Sequence, residues 1–251
     1  MITLKNEEEI AIMKEGGKRL KKVMSQLLPQ VKVGITTHEI DSLATKFIKD
    51  GGSDLSFNKV KGYHWATCLS VNEQVVHTQP SERKLLDGDV LTIDIGLYHR
   101  GFHTDYSTTF VVGKSKDPEI EKFLKIGRET LEKAIKQAVV GNRLGNISKV
   151  IEENIYGNGF FILKDLTGHG IGRDLHEDPF VFGYVSKSID KTMLIKPGLT
   201  IAIEIIYSKG TEQIVYEGGE DDWSIKTSDD SLSACFEHTI AVTDKGTIIL
   251  T

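Results

Sequence analysis

The sequence predicts an α+β fold, because a pair of amphipathic helices precedes a group of β-strands and this order occurs twice. Apolar residues recur at helical spacing near the start of the chain and again after residue 117. Runs rich in β-branched and aromatic residues follow each helix pair, as expected of strands. No Ser-, Gly- or Pro-rich linker separates the two parts, so we expect one domain over 1–251 with halves at roughly 6–113 and 117–251.

Four helices are predicted from their start and end signals. A capping-box pattern begins helices at Asn6, running to about residue 28, and at Thr36, ending before Gly51-Gly52. Asp117-Pro118 begins a third helix, with proline at its first position. The fourth is expected over 146–156.

A β-hairpin is predicted between residues 92 and 110, after two short strands at 66–71 and 74–77. If its turn is His99-Arg100, Asp94 lies directly opposite Asp105, whereas a bulge at Gly101 would shift this register by one residue. Two facing carboxylates among apolar residues need a shared proton or bound cations, so the hairpin is a candidate metal site. The alternative is an aspartate that faces solvent at a strand end.

An internal repeat relates the two halves. Gly17 lies 110 residues before Gly127, and Asp94 lies 110 residues before Glu204. Asp94 and Glu204 each follow a glycine by six residues and lie in an apolar strand. We therefore expect a tandem duplication about a pseudo-twofold axis, with both carboxylates near that axis.

Further candidate ligands lie in the second half of the chain. His169 is surrounded by alternating glycines, and His176 and an acidic segment follow it; two glutamates lie within apolar strands. Either glutamate alone is compatible with the solvent face of an edge strand, but the set together favours two divalent ions, Mn, Fe, Co or Zn. Such a pair holds a bridging hydroxide and stabilises an oxyanion, which suits amide hydrolysis. The candidate ligands are Asp94, Asp105, His169, Glu204 and Glu237.

Composition excludes several classes of protein. The chain has 251 residues, 39% of them hydrophobic, and a net charge of -5, which argues against a nucleic-acid partner. We expect a cytoplasmic protein, because no apolar run has membrane-spanning length and the first residues do not resemble a signal peptide. Cys68 and Cys235 match no zinc or redox spacing and are predicted to be buried, reduced thiols.

The chain resembles type I methionine aminopeptidases, which have the pita-bread metallopeptidase fold. The likeness extends from the first helix to the last strand. It implies a curved antiparallel sheet covered by helices, with a central cleft in which the five candidate ligands hold two metal ions. The motifs that carry it are Ile93-Asp94, His103-Thr104-Asp105, Gly168-His169-Gly170-Ile171-Gly172, Ile203-Glu204 and Phe236-Glu237-His238-Thr239.

The resemblance also implies roles for individual residues. His77 matches a histidine that contacts substrate, and His176 matches one that interacts with the scissile amide and the tetrahedral intermediate. Glu204 is implied as a further catalytic residue, which handles the proton of the bridging water. The residues implied to line the methionine pocket are Tyr63, Cys68 and Trp223.

The chain departs from the common family pattern around the substrate but not at a ligand. Thr78-Gln79 follow His77 in place of Gly-Ile, and His64-Trp65 follow the Gly-Tyr pair in place of proline. Leu175 replaces a phenylalanine, and Ile205 replaces a proline. We expect these changes to alter the shape of the pocket and not the hydrolytic chemistry.

Three functions compete. The first is removal of initiator methionine from nascent polypeptides by a monomer, with the ribosome as a candidate partner. The second is an Xaa-Pro peptidase of the same fold, but such relatives usually carry an extra N-terminal domain and here the first helix begins near Asn6. The third is a catalytically silent binding module, which we disfavour because all five ligands are kept and the chain is acidic.

Overall fold

The computed structural model describes residues 2–114, 116–218 and 221–251. None of the helices in these segments combines the length and apolar character needed to cross a membrane. The α-helices are α1 (Glu7–Leu27), α2 (Thr37–Asp50), α3 (Pro118–Ile135) and α4 (Leu144–Gly157). The strands are β1 (Asp54–Leu55), β2 (Thr67–Val71), β3 (Val90–His99), β4 (Phe102–Val111), β5 (Phe161–Ile162), β6 (Gly168–Gly170), β7 (Glu177–Val181), β8 (Thr200–Ser208), β9 (Ile214–Gly218), β10 (Asp221–Thr227), β11 (Ser233–Thr243) and β12 (Gly246–Ile249).

All four predicted helices are present, and local hydrogen bonds explain where they begin. At α1 the Asn6 side chain accepts from the Glu9 amide at 2.9 Å, while the Glu9 carboxylate accepts from the Asn6 amide at 2.8 Å. The same reciprocal pair begins α2. Helix α4 begins two residues earlier than predicted, because the Asn146 side chain reaches back to the Arg143 amide from within the first turn.

Ten of the strands form an antiparallel sheet in the order β1-β3-β4-β11-β8-β6-β7, and β2, β5 and β12 pair with β3, β8 and β11 beside this path. Strands β9 and β10 form a separate two-stranded sheet. Helices α1 and α2 bury their apolar faces against β2 and β3. Helices α3 and α4 bury theirs against β8 and β11. The predicted α+β fold class is confirmed, with helices on one side of the sheet and the opposite side left for a cleft.

The predicted register of the β3–β4 hairpin is wrong. The turn is Arg100-Gly101, so Asp94 lies opposite Ser107 and Asp105 lies opposite Gly96. Both turn residues have positive φ, 49° and 93°, the geometry whose twist matches a two-residue hairpin. The two aspartates nevertheless share one face, because the partner of Asp94 is two residues from Asp105 and side chains alternate with period two.

The strand predicted over 74–77 is also wrong. Gln74 makes only an isolated bridge with Lys226. Asn72 and His77 have φ values of 60° and 58°, in the left-handed region that interrupts an extended strand. His77 therefore lies on a tight loop after β2.

Equivalent pairings occur in both parts of the sheet. Leu55 of β1 lies opposite Leu97, and Ile162 of β5 lies opposite Tyr207. A Cβ atom at Gly17 would lie 2.1 Å from the Leu250 carbonyl oxygen, and one at Gly127 would lie 2.5 Å from the Phe236 ring. Both glycines let a helix approach the sheet closely. The internal duplication itself stays a prediction.

Candidate metal centre and substrate cleft

The face of the sheet opposite the helices forms one cleft of about 510 Å³. Every residue to which the sequence analysis assigned a site role lines this cleft. The candidate ligands are among its polar lining residues, and most of the remaining wall is apolar. The ten residues are Tyr63, Cys68, His77, Asp94, Asp105, His169, His176, Glu204, Trp223 and Glu237.

Each candidate ligand comes from a different strand near the centre of the sheet. Neighbouring strands lie about 4.7–4.9 Å apart, so side chains on one face of adjacent strands converge. Glu204 of β8 lies directly opposite Glu237 of β11. The others are Asp94 on β3, Asp105 on β4 and His169 on β6.

The ligand atoms are close enough to share cations. Asp105, His169 and Glu237 each offer one atom, and these three atoms lie within 4.8 Å of one another. His169 Nε2 is 3.5 Å from Glu204 Oε1. His169 Nδ1 lies 2.8 Å from the Gly170 carbonyl oxygen, which can only accept, so Nδ1 carries the proton. The Nε2 lone pair is therefore available to bind a metal ion.

Burial gives the charged groups of this site unusual proton affinities. It raises the pKa of Asp94, Glu204 and Glu237, and in each case the Asp105 charge adds to the shift. Burial raises the pKa of Asp105 to about 7. Burial also lowers the pKa of His169 to about 3, so its imidazole is neutral at pH 7. Carboxylates packed in this way require protons or cations to offset their repulsion.

The unpaired atoms of the site match a divalent metal. Asp94 Oδ1 and Glu237 Oε1 are buried and have no hydrogen-bond partner among the residues that the structure describes. A buried carboxylate oxygen is costly without a partner, and a cation supplies one. Four carboxylates and one neutral imidazole are ligands that first-row divalent ions accept.

The two remaining histidines flank the ligands. The His176 ring lies 4.5 Å from the His169 ring at an angle of 82°. The His77 ring lies 6.4 Å from the Trp223 ring. Burial lowers the pKa of both histidines, that of His77 to about 4, so each is a neutral group that can donate or accept a hydrogen bond.

An apolar pocket adjoins the metal centre. The Tyr63 hydroxyl donates to the Thr67 carbonyl oxygen at 2.8 Å and also lies 3.2 Å from Cys68 Sγ, and these contacts hold its ring in place. The Tyr63 and Trp223 rings meet edge to face, 5.3 Å apart. Further apolar walls that the sequence analysis did not identify are Phe57, Val60, Val76 and Ile206.

Two of the departures from the family pattern contact each other. Trp65 Nε1 donates to Gln79 Oε1 at 3.1 Å. Both residues depart from the family pattern, Trp65 in the segment after Tyr63 and Gln79 in the segment after His77. Thr78 is buried and accepts from the Ser70 hydroxyl at 3.0 Å. Leu175 lines the cleft itself. The first two departures therefore stabilise the loop that carries His77, while the third alters the cleft wall.

Sequence reasoning missed a buried ion pair beside His176. The Lys5 ammonium donates to Glu177 Oε2, with 1% and 10% of the two side chains exposed. Glu177 Oε1 in turn accepts from the Arg173 amide at 2.7 Å. The partners are 172 residues apart, so the acidic segment after His176 was visible in the sequence but its partner was not.

Known proteins match this chain along almost its whole length. Residues 11–244 match metallopeptidase family M24. A methionine aminopeptidase from Clostridium perfringens is 39% identical over 251 residues, covering 100% of this chain and 99% of the relative. A methionine aminopeptidase structure from Thermotoga maritima has a TM-score of 0.94 and 36% identity, covering 100% of this chain and 99% of that chain.

A more distant structure, a prolidase from Pyrococcus furiosus, shares the fold with a TM-score of 0.75 at 20% identity, covering 99% of this chain and 65% of that chain. Identity this low indicates the fold alone, whereas the methionine aminopeptidases match along their full length. The chain therefore belongs to the divalent-metal-binding, pita-bread metallopeptidase family M24, among its methionine aminopeptidases.

Proposed function

We propose that this protein hydrolyses the peptide bond after the N-terminal methionine of polypeptides, using divalent metal ions. The observation that carries this proposal is the convergence of five candidate ligands, two neutral histidines and an apolar pocket on one cleft. The full-length relatives named methionine aminopeptidase support the same activity. An Xaa-Pro peptidase is disfavoured, because the prolidase shares only the fold at 20% identity.

The ligand set supports two ions of Mn, Fe, Co or Zn, held by Asp94, Asp105, His169, Glu204 and Glu237. Four carboxylate groups offer more oxygens than one ion of ordinary coordination number accepts alongside an imidazole. Bound ions of this kind generate a nucleophile from water at neutral pH and polarise the scissile carbonyl group.

Glu204 is the carboxylate that we assign to proton transfer. Its side chain is 13% exposed and lies 3.5 Å from His169, so it faces the cleft as well as the other ligands. Burial raises the pKa of Glu204, which strengthens its ability to accept a proton.

His77 and His176 position the scissile amide in this proposal. Because burial lowers the pKa of both, each is neutral and can serve as a hydrogen-bond donor without carrying a charge into the site. His176 approaches from beside His169, and His77 approaches from the loop after β2. We assign both imidazoles to contacts with the bound substrate.

The pocket of Tyr63, Cys68 and Trp223 receives the methionine side chain. A flexible thioether fills an irregular apolar space and makes favourable contacts with aromatic rings and sulfur. Such pockets discriminate between similar side chains by only about 1–3 kcal/mol. Methionine should therefore be preferred clearly but not absolutely over leucine.

We further propose that the substrates are newly made polypeptides in the cytoplasm. Cys68 and Cys235 are both buried free thiols, as predicted, which supports a reducing compartment. An N-terminal methionine is the first residue of a newly made chain.

The test is hydrolysis of Met-Ala-Ser, Leu-Ala-Ser and Ala-Pro by Mn-loaded protein. We expect a Met-to-Leu ratio in kcat/KM of about 10–200 and no cleavage of Ala-Pro. Trp223→Ala should reduce that ratio. Tyr216→Ala, at a 65% exposed position on the neighbouring strand, is the matched control and should leave the ratio unchanged. Preferential cleavage of Ala-Pro would instead indicate that the protein is an Xaa-Pro peptidase.

A further inference from the structure

A second cavity, of about 410 Å³, adjoins the catalytic cleft. Asp178 and Phe180 line both cavities, so the two adjoin along β7. The walls of the second cavity include Phe182, Val185 and Met193. Nothing in the proposed metal chemistry or methionine pocket uses these residues.

We propose that the second cavity binds the residues of the polypeptide substrate that follow the scissile bond, with Phe180 as its main apolar contact. This inference rests on the proposed aminopeptidase function and extends it to a specificity-determining subsite. Its occupant is an extended stretch of the substrate, at about its third to fifth residues.

The register of the sheet places Phe180 next to the metal centre. Phe180 of β7 lies directly opposite His169 of β6. Directly opposite residues project from the same face, so the Phe180 ring borders the side of the sheet on which His169 offers its ligand atom. An extended chain advances about 3.3–3.6 Å per residue. A polypeptide whose first peptide bond lies beside His169 therefore reaches Phe180 within two or three residues.

Phe180 is exposed in a way that suits a binding surface. Its side chain is 63% exposed, although burying a phenylalanine is normally favourable. Its ring lies 6.2 Å from that of Phe182, which lies 5.6 Å from that of Tyr184. Phe182 and Tyr184 are partly buried, so the exposed Phe180 ring stands at the end of an aromatic row that is anchored in the protein.

Continuity with the cleft identifies the occupant. A second copy of the chain seated on Phe180 and Asp178 would cover residues that also line the catalytic cleft. It would obstruct the entry of substrate. A substrate chain leaving the cleft has to cross the same two residues, so one molecule occupies both cavities without conflict.

The experiment compares three peptides with the Mn-loaded full chain: Met-Ala-Ser, Met-Ala-Ser-Leu-Leu-Ser and Met-Ala-Ser-Gly-Gly-Ser. Phe180→Ser should raise KM for the leucine hexapeptide about five- to thirtyfold, with little change in kcat and little change for the other two peptides. Phe180→Tyr keeps the ring and should retain parental KM. Leu86→Ser is the matched control, because Leu86 is 64% exposed and lines neither cavity.

Three results would overturn the subsite. An equal loss on all three peptides would show that Phe180 supports the catalytic centre itself, and parental KM for the leucine peptide would show that the ring does not contact substrate. If the parent sediments as a dimer and Phe180→Ser sediments as a monomer, the occupant of the second cavity is a second copy of the chain. Failure of the parent to cleave Met-Ala-Ser would instead count against the proposed function.

Discussion

Glu204 and Glu237 lie directly opposite each other on antiparallel strands β8 and β11. Like charges in this position destabilise a sheet, and burial makes their repulsion stronger. Burial raises the pKa of both groups, and the Asp105 charge raises them further. The carboxylates at the centre of the sheet therefore suit cation binding, and they destabilise the protein when no cation is bound.

Metal should stabilise the fold, and more so at high pH. A carboxyl group whose pKa is raised by folding stabilises the folded state fully at pH values below its unfolded pKa of about 4. This stabilisation is lost as the pH rises through the folded-state pKa, which for Asp105 is about 7. The metal-free protein should thus lose stability from this site between about pH 4 and 7. Protons also compete with metal at low pH.

Thermal unfolding with EDTA or Mn at pH 5.5 and pH 8 measures this effect. At 100 times Kd, the metal contributes about 2.7 kcal/mol, which is roughly 5–10 °C in Tm for a chain of this size. The shift should be clearly smaller at pH 5.5. Equal shifts at the two values of pH would argue against the buried carboxylates as the binding site.

Glu204→Gln should lose turnover that metal cannot restore. Glutamine keeps one oxygen but cannot accept a proton, so we expect kcat to fall about 100- to 10,000-fold even at saturating Mn. Asp105→Asn should lose activity through weaker metal binding, and excess Mn should partly rescue it. Titration of activity against Mn separates the two. Glu212→Gln, at a carboxylate that pairs with Lys164, is the control. Full rescue of Glu204→Gln would remove Glu204 from the proton-transfer step.

His176→Ala should lower kcat while the metal content remains parental. We assign this imidazole to the substrate and not to the ions, because the candidate metal group among the described residues contains Asp105, His169 and Glu237 and does not include His176. His77→Ala should behave in the same way. Elemental analysis beside steady-state kinetics tests both. Metal loss from folded His176→Ala would mean that His176 is itself a ligand.

Lys5→Met should destabilise the protein and slow turnover through His176. The change leaves the Glu177 carboxylate buried without its cation, which typically costs about 3–5 kcal/mol. Glu177 also accepts from the Arg173 and Asp174 amides, so a Glu177 side chain that shifts without its cation should disturb the loop that leads to His176. Urea unfolding and kcat should both report the loss.

Two further variants isolate this ion pair. Lys46→Met removes an exposed pair with Asp50 and should change stability by less than about 1 kcal/mol. The double variant Lys5→Met with Glu177→Gln removes the unpaired charge and should regain stability relative to Lys5→Met alone. No recovery in the double variant would show that Lys5 acts through packing and not through its charge.

Local interactions made much of this protein predictable from sequence. The caps at Asn6 and Thr36 form between residues three apart, so their positions were correct. Residue type and strand context were enough to single out the candidate ligands, because a carboxylate inside an apolar strand is costly wherever the strand lies. The roles assigned to those residues stay predictions.

Backbone conformation at two tight turns and long-range packing decided the rest. The twist of the Arg100-Gly101 turn set the hairpin register, and the left-handed backbone at His77 replaced a predicted strand with a loop. Lys5 meets Glu177 across 172 residues, and Phe180 borders the cleft because β7 pairs with β6. Sequence by itself determined which residues are candidates for the chemistry and where α1, α2 and α3 begin. Only the tertiary structure decided which side chains share a face or a buried contact, because these depend on pairing between distant segments, which no local pattern specifies.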